Sequence, residues 1–174
     1  MAVIETSRLF MRPPVELDFD AWAEFDADVN ATRYFGGPKA RAAAWEMFAT
    51  NAGMWNLRGC GLFSVFEKQS GTWLGRVGPW KPEGATAEIG WAILPSYWGR
   101  GFATEAAGAA ITWTIRSLQW QQINHCIDAE NGASIAVAAR LGSRWLYSAQ
   151  DGHGKPTQVY GQEAGEWMSR SHGP

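Results

Sequence analysis

The chain is short of cysteine, of charge and of long apolar runs, and each shortage excludes something. Two cysteines in 174 residues, Cys60 and Cys126, cannot build a disulfide framework and suit free thiols in a reducing compartment. His125 adjoins Cys126, but neighbours in a strand point to opposite faces, so the pair does not read as a metal site and no metal is expected. Charged residues make up 18% of the chain, the formal net charge is -2 and no basic run occurs, which argues against nucleic acid as a partner. No apolar stretch has the length of a membrane span, and no basic segment leads into an apolar one near Met1. The expectation is a soluble cytoplasmic protein with no membrane partner. Neither Gly-x-x-x-x-Gly-Lys-Ser/Thr nor Gly-x-Gly-x-x-Gly is found, and a nucleotide-binding protein built on those loops is disfavoured.

What is present points to one ordered domain spanning residues 1–174, since hydrophobic residues reach 46% and the length suits a single core. Tryptophan is abundant at eleven residues, which suits core and groove lining; Trp55, Trp73, Trp80, Trp91 and Trp98 are candidates for an aromatic groove. Apolar spacing predicts a strand from Ile4 to Met11 and helices from Asp18 to Val29 and from Lys39 to Asn56, separated by Gly36-Gly37-Pro38. Asp18, Asp20, Asp26 and Asp28 read as a solvated helix face or, alternatively, as an attraction for a cationic substrate.

After Gly59 the period changes to two. Strands are expected from Leu62 to Lys68, Thr72 to Trp80 and Thr86 to Leu94, with turns at Ser70-Gly71 and Lys81-Pro82-Glu83-Gly84. A helix from Ala103 to Leu118, a strand from Gln122 to Asp128 and a helix from Asn131 to Leu141 follow, the last with Asn131 as its N-cap and Gly142 at its end. Arg144 to Ala149 and Gln158 to Gln162 form a closing hairpin across Asp151-Gly152-His153-Gly154, and Glu163 to Ser169 adds a helical turn. This order implies an α/β sandwich with helices on both faces of the sheet.

The densest chemical signal lies between Pro95 and Glu105, which reads Pro-Ser-Tyr-Trp-Gly-Arg-Gly-Phe-Ala-Thr-Glu. Gly99, Gly101 and Ala103 keep side chains out of the way just where a helix starts. Several backbone N–H groups are therefore free to converge on an anion such as a pyrophosphate.

This stretch resembles the acetyl-CoA loop of the GNAT acyltransferases, Gln/Arg-x-x-Gly-x-Gly/Ala, with Gly101 and Ala103 at the small positions and Trp98 where Gln or Arg is usual. Three further stretches are similar to the branch typified by ribosomal-protein alanine N-acetyltransferases. They are Glu5-Thr6-Ser7-Arg8-Leu9-Phe10-Met11-Arg12, Asn131-Gly132-Ala133-Ser134 through Leu141-Gly142, and Val159-Tyr160-Gly161 with Trp167. Glu88-Ile89-Gly90-Trp91 precedes the loop as that branch's central strand does. The resemblance implies the GNAT fold, a mixed and mostly antiparallel sheet with a splayed central strand pair. It also implies acetyl-CoA as cosubstrate and an amine acceptor, and leaves a homodimer open.

Residue roles follow from the same resemblance. Main-chain groups of Ala92, Ile93 and Leu94 are expected along the pantetheine, with Asn131 as a further contact. The N–H groups of Gly99, Arg100, Gly101, Phe102, Ala103 and Thr104 are expected to hold the pyrophosphate, and the Arg100 side chain adds a charge toward phosphate or simply faces solvent. Glu88 is the candidate base for the amine, and Glu105 is its rival. Ser134 is the candidate hydroxyl for the leaving thiolate, with Tyr147 and Tyr160 of the closing hairpin as alternatives, because no tyrosine lies between Asn131 and Leu141. No cysteine is expected to act as a covalent nucleophile, so attack is direct within a ternary complex. The competing reading is a non-catalytic module that binds acetyl-CoA as a sensor.

Overall fold

The computed structural model describes residues 2–83, 86–150 and 154–171. Its first expected strand is instead a small hairpin, β1 (Ile4–Glu5) against β2 (Leu9–Arg12). Thr6 causes the turn: its N–H donates to the Leu9 carbonyl at 3.0 Å and its hydroxyl accepts from the Leu9 N–H at 2.9 Å. The next expected helix is also divided. After a 3-10 turn (Glu16–Asp18), α1 (Phe19–Ala27) ends where Asp28 turns extended and accepts from the Asn30 and Ala31 N–H groups, capping α2 (Val29–Thr32).

The remaining elements lie close to expectation. They are α3 (Arg41–Arg58), β3 (Phe63–Glu67), β4 (Trp73–Trp80), β5 (Glu88–Ile93), α4 (Phe102–Leu118), β6 (Gln122–Asp128), α5 (Gly132–Arg140), β7 (Arg144–Gln150), β8 (Pro156–Glu163) and α6 (Ala164–Ser171). Gly84 of one expected turn and Asp151, Gly152 and His153 of the closing turn lie outside the described residues.

Two antiparallel sheets result, ordered β1-β2-β3-β4-β5 and β6-β8-β7. They meet where β5 lies beside β6 without a backbone ladder. α4 packs Phe102, Ala106, Ala107, Ala110 and Ile111 onto one face of the larger sheet, against Leu9, Val65, Leu74 and Ile89. α1 and α3 cover the other face through Trp22, Phe25, Ala44 and Phe48.

Two acids expected on a solvated helix face are buried. Asp18 accepts two hydrogen bonds of 2.7 Å from Arg12 and one of 2.8 Å from the Ser64 hydroxyl, and Asp26 accepts from Arg76 at 2.7 Å and from the Trp22 indole at 3.1 Å. The reason is register. Arg12, Ser64 and Arg76 are direct cross-strand partners under the start of the helical layer, and a buried guanidinium needs a paired carboxylate. Asp18 and Asp26 tie that layer to the sheet and are not available to a cationic substrate.

Candidate active site

The strand that leads to the loop has two different edges. Main-chain groups alternate between the edges of a strand just as side chains alternate between its faces. Carbonyls of Ile89 and Ile93 point away from β4, and the Leu94 N–H points toward it, bonding the Leu74 carbonyl at 2.8 Å. Trp91 therefore shares the outer edge with Ile93, while Ala92 and Leu94 turn their backbone toward β4. Of the three main-chain contacts expected, Ile93 faces the gap beside β6. Trp91 joins it there, since strand parity pairs Trp91 with Ile93.

The loop follows as a 3-10 turn (Pro95–Tyr97), then Trp98, then two glycines with left-handed backbone, Gly99 at φ 71° and Gly101 at φ 82°. Gly101 is the N-cap of α4, and the first amide of the region to find a partner is Glu105, on the Gly101 carbonyl at 3.0 Å. Among the described residues, no protein acceptor meets the N–H groups of residues 99–104. Such a cluster of unmatched donors at a helix start suits a phosphate. The Trp98 indole donates to the Ile93 carbonyl at 2.6 Å, so the residue at the usual Gln/Arg position is tied to β5. Arg100 lies over Tyr97 and Phe102 and 3.6 Å from Glu67.

Glu105, the rival base, is fully engaged elsewhere. Its carboxylate accepts from the Thr6 hydroxyl at 2.5 Å and from the Arg8 backbone at 3.0 Å, and pairs with the Arg8 guanidinium at 2.6 Å. Against the desolvation of burial, those bonds hold it below the ordinary carboxylate range. Arg8 belongs to the loop only through long-range packing. It also donates to the Arg100 carbonyl at 3.0 Å and lies over the Phe102 ring at 4.4 Å, so the first hairpin braces the loop from below.

Glu88 lies at the start of β5, on the face that Ala92 shares with α1 and α3. One of its oxygens accepts from the Cys126 N–H of β6 at 2.8 Å. Burial pushes the carboxyl above its usual range, and bonds from Cys126 only partly oppose the shift. The Cys126 thiol is pushed up to about 12 by partial desolvation and by the neighbouring Glu88 carboxylate, which favours the thiol over the thiolate. His125, on the opposite face, bonds the Ile89 carbonyl at 2.9 Å. Side chains thus replace the missing ladder at this end of the gap.

Ser134 is in the first turn of α5, where its N–H donates to the Asn131 side chain at 3.1 Å. Its hydroxyl accepts from the Trp91 indole at 3.2 Å. Glu88 and Ser134 are therefore not in contact; they flank the β5–β6 gap from opposite faces. Tyr160 pairs across the ladder with His125, and Tyr147 pairs with Val159, itself the partner of Cys126. Register thus puts Tyr160 on the Ser134 side and Tyr147 on the Glu88 side. Among the described residues, no three His, Cys, Asp or Glu side chains group as metal ligands, and no helix is long and apolar enough to cross a membrane.

The same fold recurs in known proteins. The model of the acetyltransferase (GNAT) domain matches residues 8–144. An acetyltransferase from Agrobacterium tumefaciens superposes with a TM-score of 0.84 at 28% identity, covering 93% of this chain and 94% of that one. The uncharacterized N-acetyltransferase YoaA of Bacillus subtilis is 24% identical over 91% of this chain and 94% of its own length. RimL, a ribosomal L7/L12 alpha-N-protein acetyltransferase solved with coenzyme A, shares the fold with a TM-score of 0.75 at 17% identity, over 93% and 98% of the two chains. With the splayed strand pair, the donor-lined loop and the domain match in agreement, this chain belongs to the GNAT acetyltransferase family.

Proposed function

We propose that this protein transfers the acetyl group of acetyl-CoA to a primary amine by direct attack in a ternary complex. The observation that carries the reading is the unladdered edge of β5 running straight into six unmatched N–H donors. Amides of Gly99, Arg100, Gly101, Phe102, Ala103 and Thr104 would hold the pyrophosphate, with Arg100 as an adjacent cation. Outer-edge groups of Trp91 and Ile93 would bond the pantetheine, as would the Asn131 amide nitrogen, whose oxygen already caps α5. Ala92 would add a small side chain on the acceptor face.

Glu88 then faces the acceptor and Ser134 the thioester sulfur. The acceptor ammonium gives one proton to Glu88 and its nitrogen attacks the acetyl carbonyl. The new C–N bond forms as the C–S bond breaks, and the sulfur leaves with the proton of the Ser134 hydroxyl, which is restored from solvent. The nitrogen's second proton goes to water. A carboxyl raised above its usual range is suited to this task, because it holds the proton more readily at neutral pH. The acceptor class is a protein amino terminus, as for the ribosomal-protein acetyltransferase RimL, or a small amine. Two free cysteines suit a cytoplasmic setting. Release of CoA thiol with a panel of peptides and small amines tests the reading. Tight acetyl-CoA binding with no turnover on any of them favours a sensor module.

Two expected results bear on the parts. Gly101→Val adds a β-branched side chain at φ 82° beside the donors, and acetyl-CoA affinity should fall at least about tenfold, roughly 1.4 kcal/mol. Calorimetric titration of the folded variant at wild-type affinity would remove the loop from the cofactor site. Ser134→Ala should lower kcat by about tenfold or more with near-normal acetyl-CoA binding. A two- or threefold loss would shift the role to solvent or to Tyr160.

A further inference from the structure

Behind the gap lies a file of hydrogen bonds whose direction is set at both ends. Arg170 can only donate and the Ile89 carbonyl can only accept. Arg170 donates to the Gln162 side-chain oxygen, and the Gln162 amide nitrogen donates to the Ser143 hydroxyl at 2.8 Å. The Ser143 proton then points to His125 Nε2 at 3.1 Å, which leaves His125 Nδ1–H to donate to the Ile89 carbonyl at 2.9 Å. Every member is satisfied in this one arrangement, with a neutral imidazole. Burial favours the same form, moving His125 down to about 4.

His125 takes no part in the chemistry proposed above, yet it touches both halves of it. Its ring packs against Trp91 with centroids 4.8 Å apart, and Trp91 is the residue whose indole donates to Ser134. Because the Ser134 oxygen accepts from that indole, its own proton is directed elsewhere, free for the sulfur. The Ile89 carbonyl that His125 holds is next in the chain to Glu88. We propose that His125 is a positioning residue for acetyl transfer, pinning the segment of β5 that carries Glu88 and seating the indole that orients Ser134. The inference rests on the acetyl-transfer reading. It follows from the missing ladder: with no backbone bonds between β5 and β6, the separation of the two reacting ends depends on side chains, and this buried ring of β6 bonds the Ile89 carbonyl and packs on Trp91 of β5.

Two substitutions separate positioning from mere packing. Asn places its amide nitrogen where Nδ1 lies and keeps the bond to Ile89, whereas Gln reaches the Nε2 position and loses it. His125→Asn should keep kcat within about threefold of wild type. His125→Gln should lower kcat at least about tenfold, with the KM for acetyl-CoA changed less than about twofold, both at a temperature where thermal melts show the variants folded. Equal kcat in the two variants would overturn the proposal. If His125→Gln does not fold, Trp91→Phe decides, since it keeps a ring against His125 and lacks only the donor to Ser134. Wild-type kcat in that variant would overturn the inference, and a loss of tenfold or more would support it. Wild-type turnover checks the underlying reading separately. Should no amine be acetylated, the NMR resonance of the Trp91 indole N–H is read instead: a shift in His125→Gln absent from His125→Asn supports positioning, and no shift in either refutes it.

Discussion

Glu88→Gln is expected to lower turnover at least about a hundredfold near neutral pH while leaving acetyl-CoA affinity within about twofold of wild type. Gln has the same size, and its carbonyl oxygen can still accept from the Cys126 N–H that Glu88 engages at 2.8 Å. What it lacks is the basic oxygen. Raising the pH should recover part of the rate, because free amine then forms without help. Stability should move the other way. Burial raises the carboxyl of Glu88 in the folded protein, so its favourable contribution is present at low pH and is lost as pH rises through the folded value. At neutral pH the ionised wild-type group is the less comfortable one, and the Gln variant should be no less stable to urea. A variant that matches wild-type rates over the whole pH range would make Glu88 structural. A fall in both rate and stability would instead show that the charge holds β6 in place.

The second large effect is expected from Gly75→Ala in β4. Gly75 has φ 149°, and a Cβ there would sit 2.0 Å from the Ala92 carbonyl oxygen and 2.9 Å from the Ile93 Cα. Both atoms belong to backbone, so neither can rotate away. Strained φ and a forced separation of β4 from β5 together should cost about 3 kcal/mol or more. For a chain of this size that is a fall in Tm of roughly 6–12 °C. Acetyl-CoA affinity should fall with it, since the displaced strand carries Trp91 and Ile93. A melting temperature equal to wild type would mean that β5 shifts freely, and the site could not then depend on its register.

Much of the site is local and was legible for that reason. A glycine at a helix start, an Asn three residues before the Ser134 N–H it caps, and the alternation that separates His125 from Cys126 all act over a few bonds. The helices and strands after Gly59 fall near their expected bounds because period and turn residues act over the same range. The first forty residues were harder. A hydroxyl bonding its own turn at Thr6 and a carboxylate capping α2 at Asp28 interrupt patterns that apolar spacing alone would run through.

Tertiary structure alone decided the partners. Strand parity tells that Trp91 and Ile93 share an edge, but only pairing with β4 tells that this is the edge left open. Periodicity places Asp26 on a helix, and only the register of β3 with β4 brings Arg76 beneath it. The Glu105 carboxylate is engaged by Thr6 and Arg8, almost a hundred residues earlier in the chain. Spacing in a sequence describes which face a residue takes. What meets that face is set by long-range packing, where burial makes each unpaired polar group costly and so selects the partner.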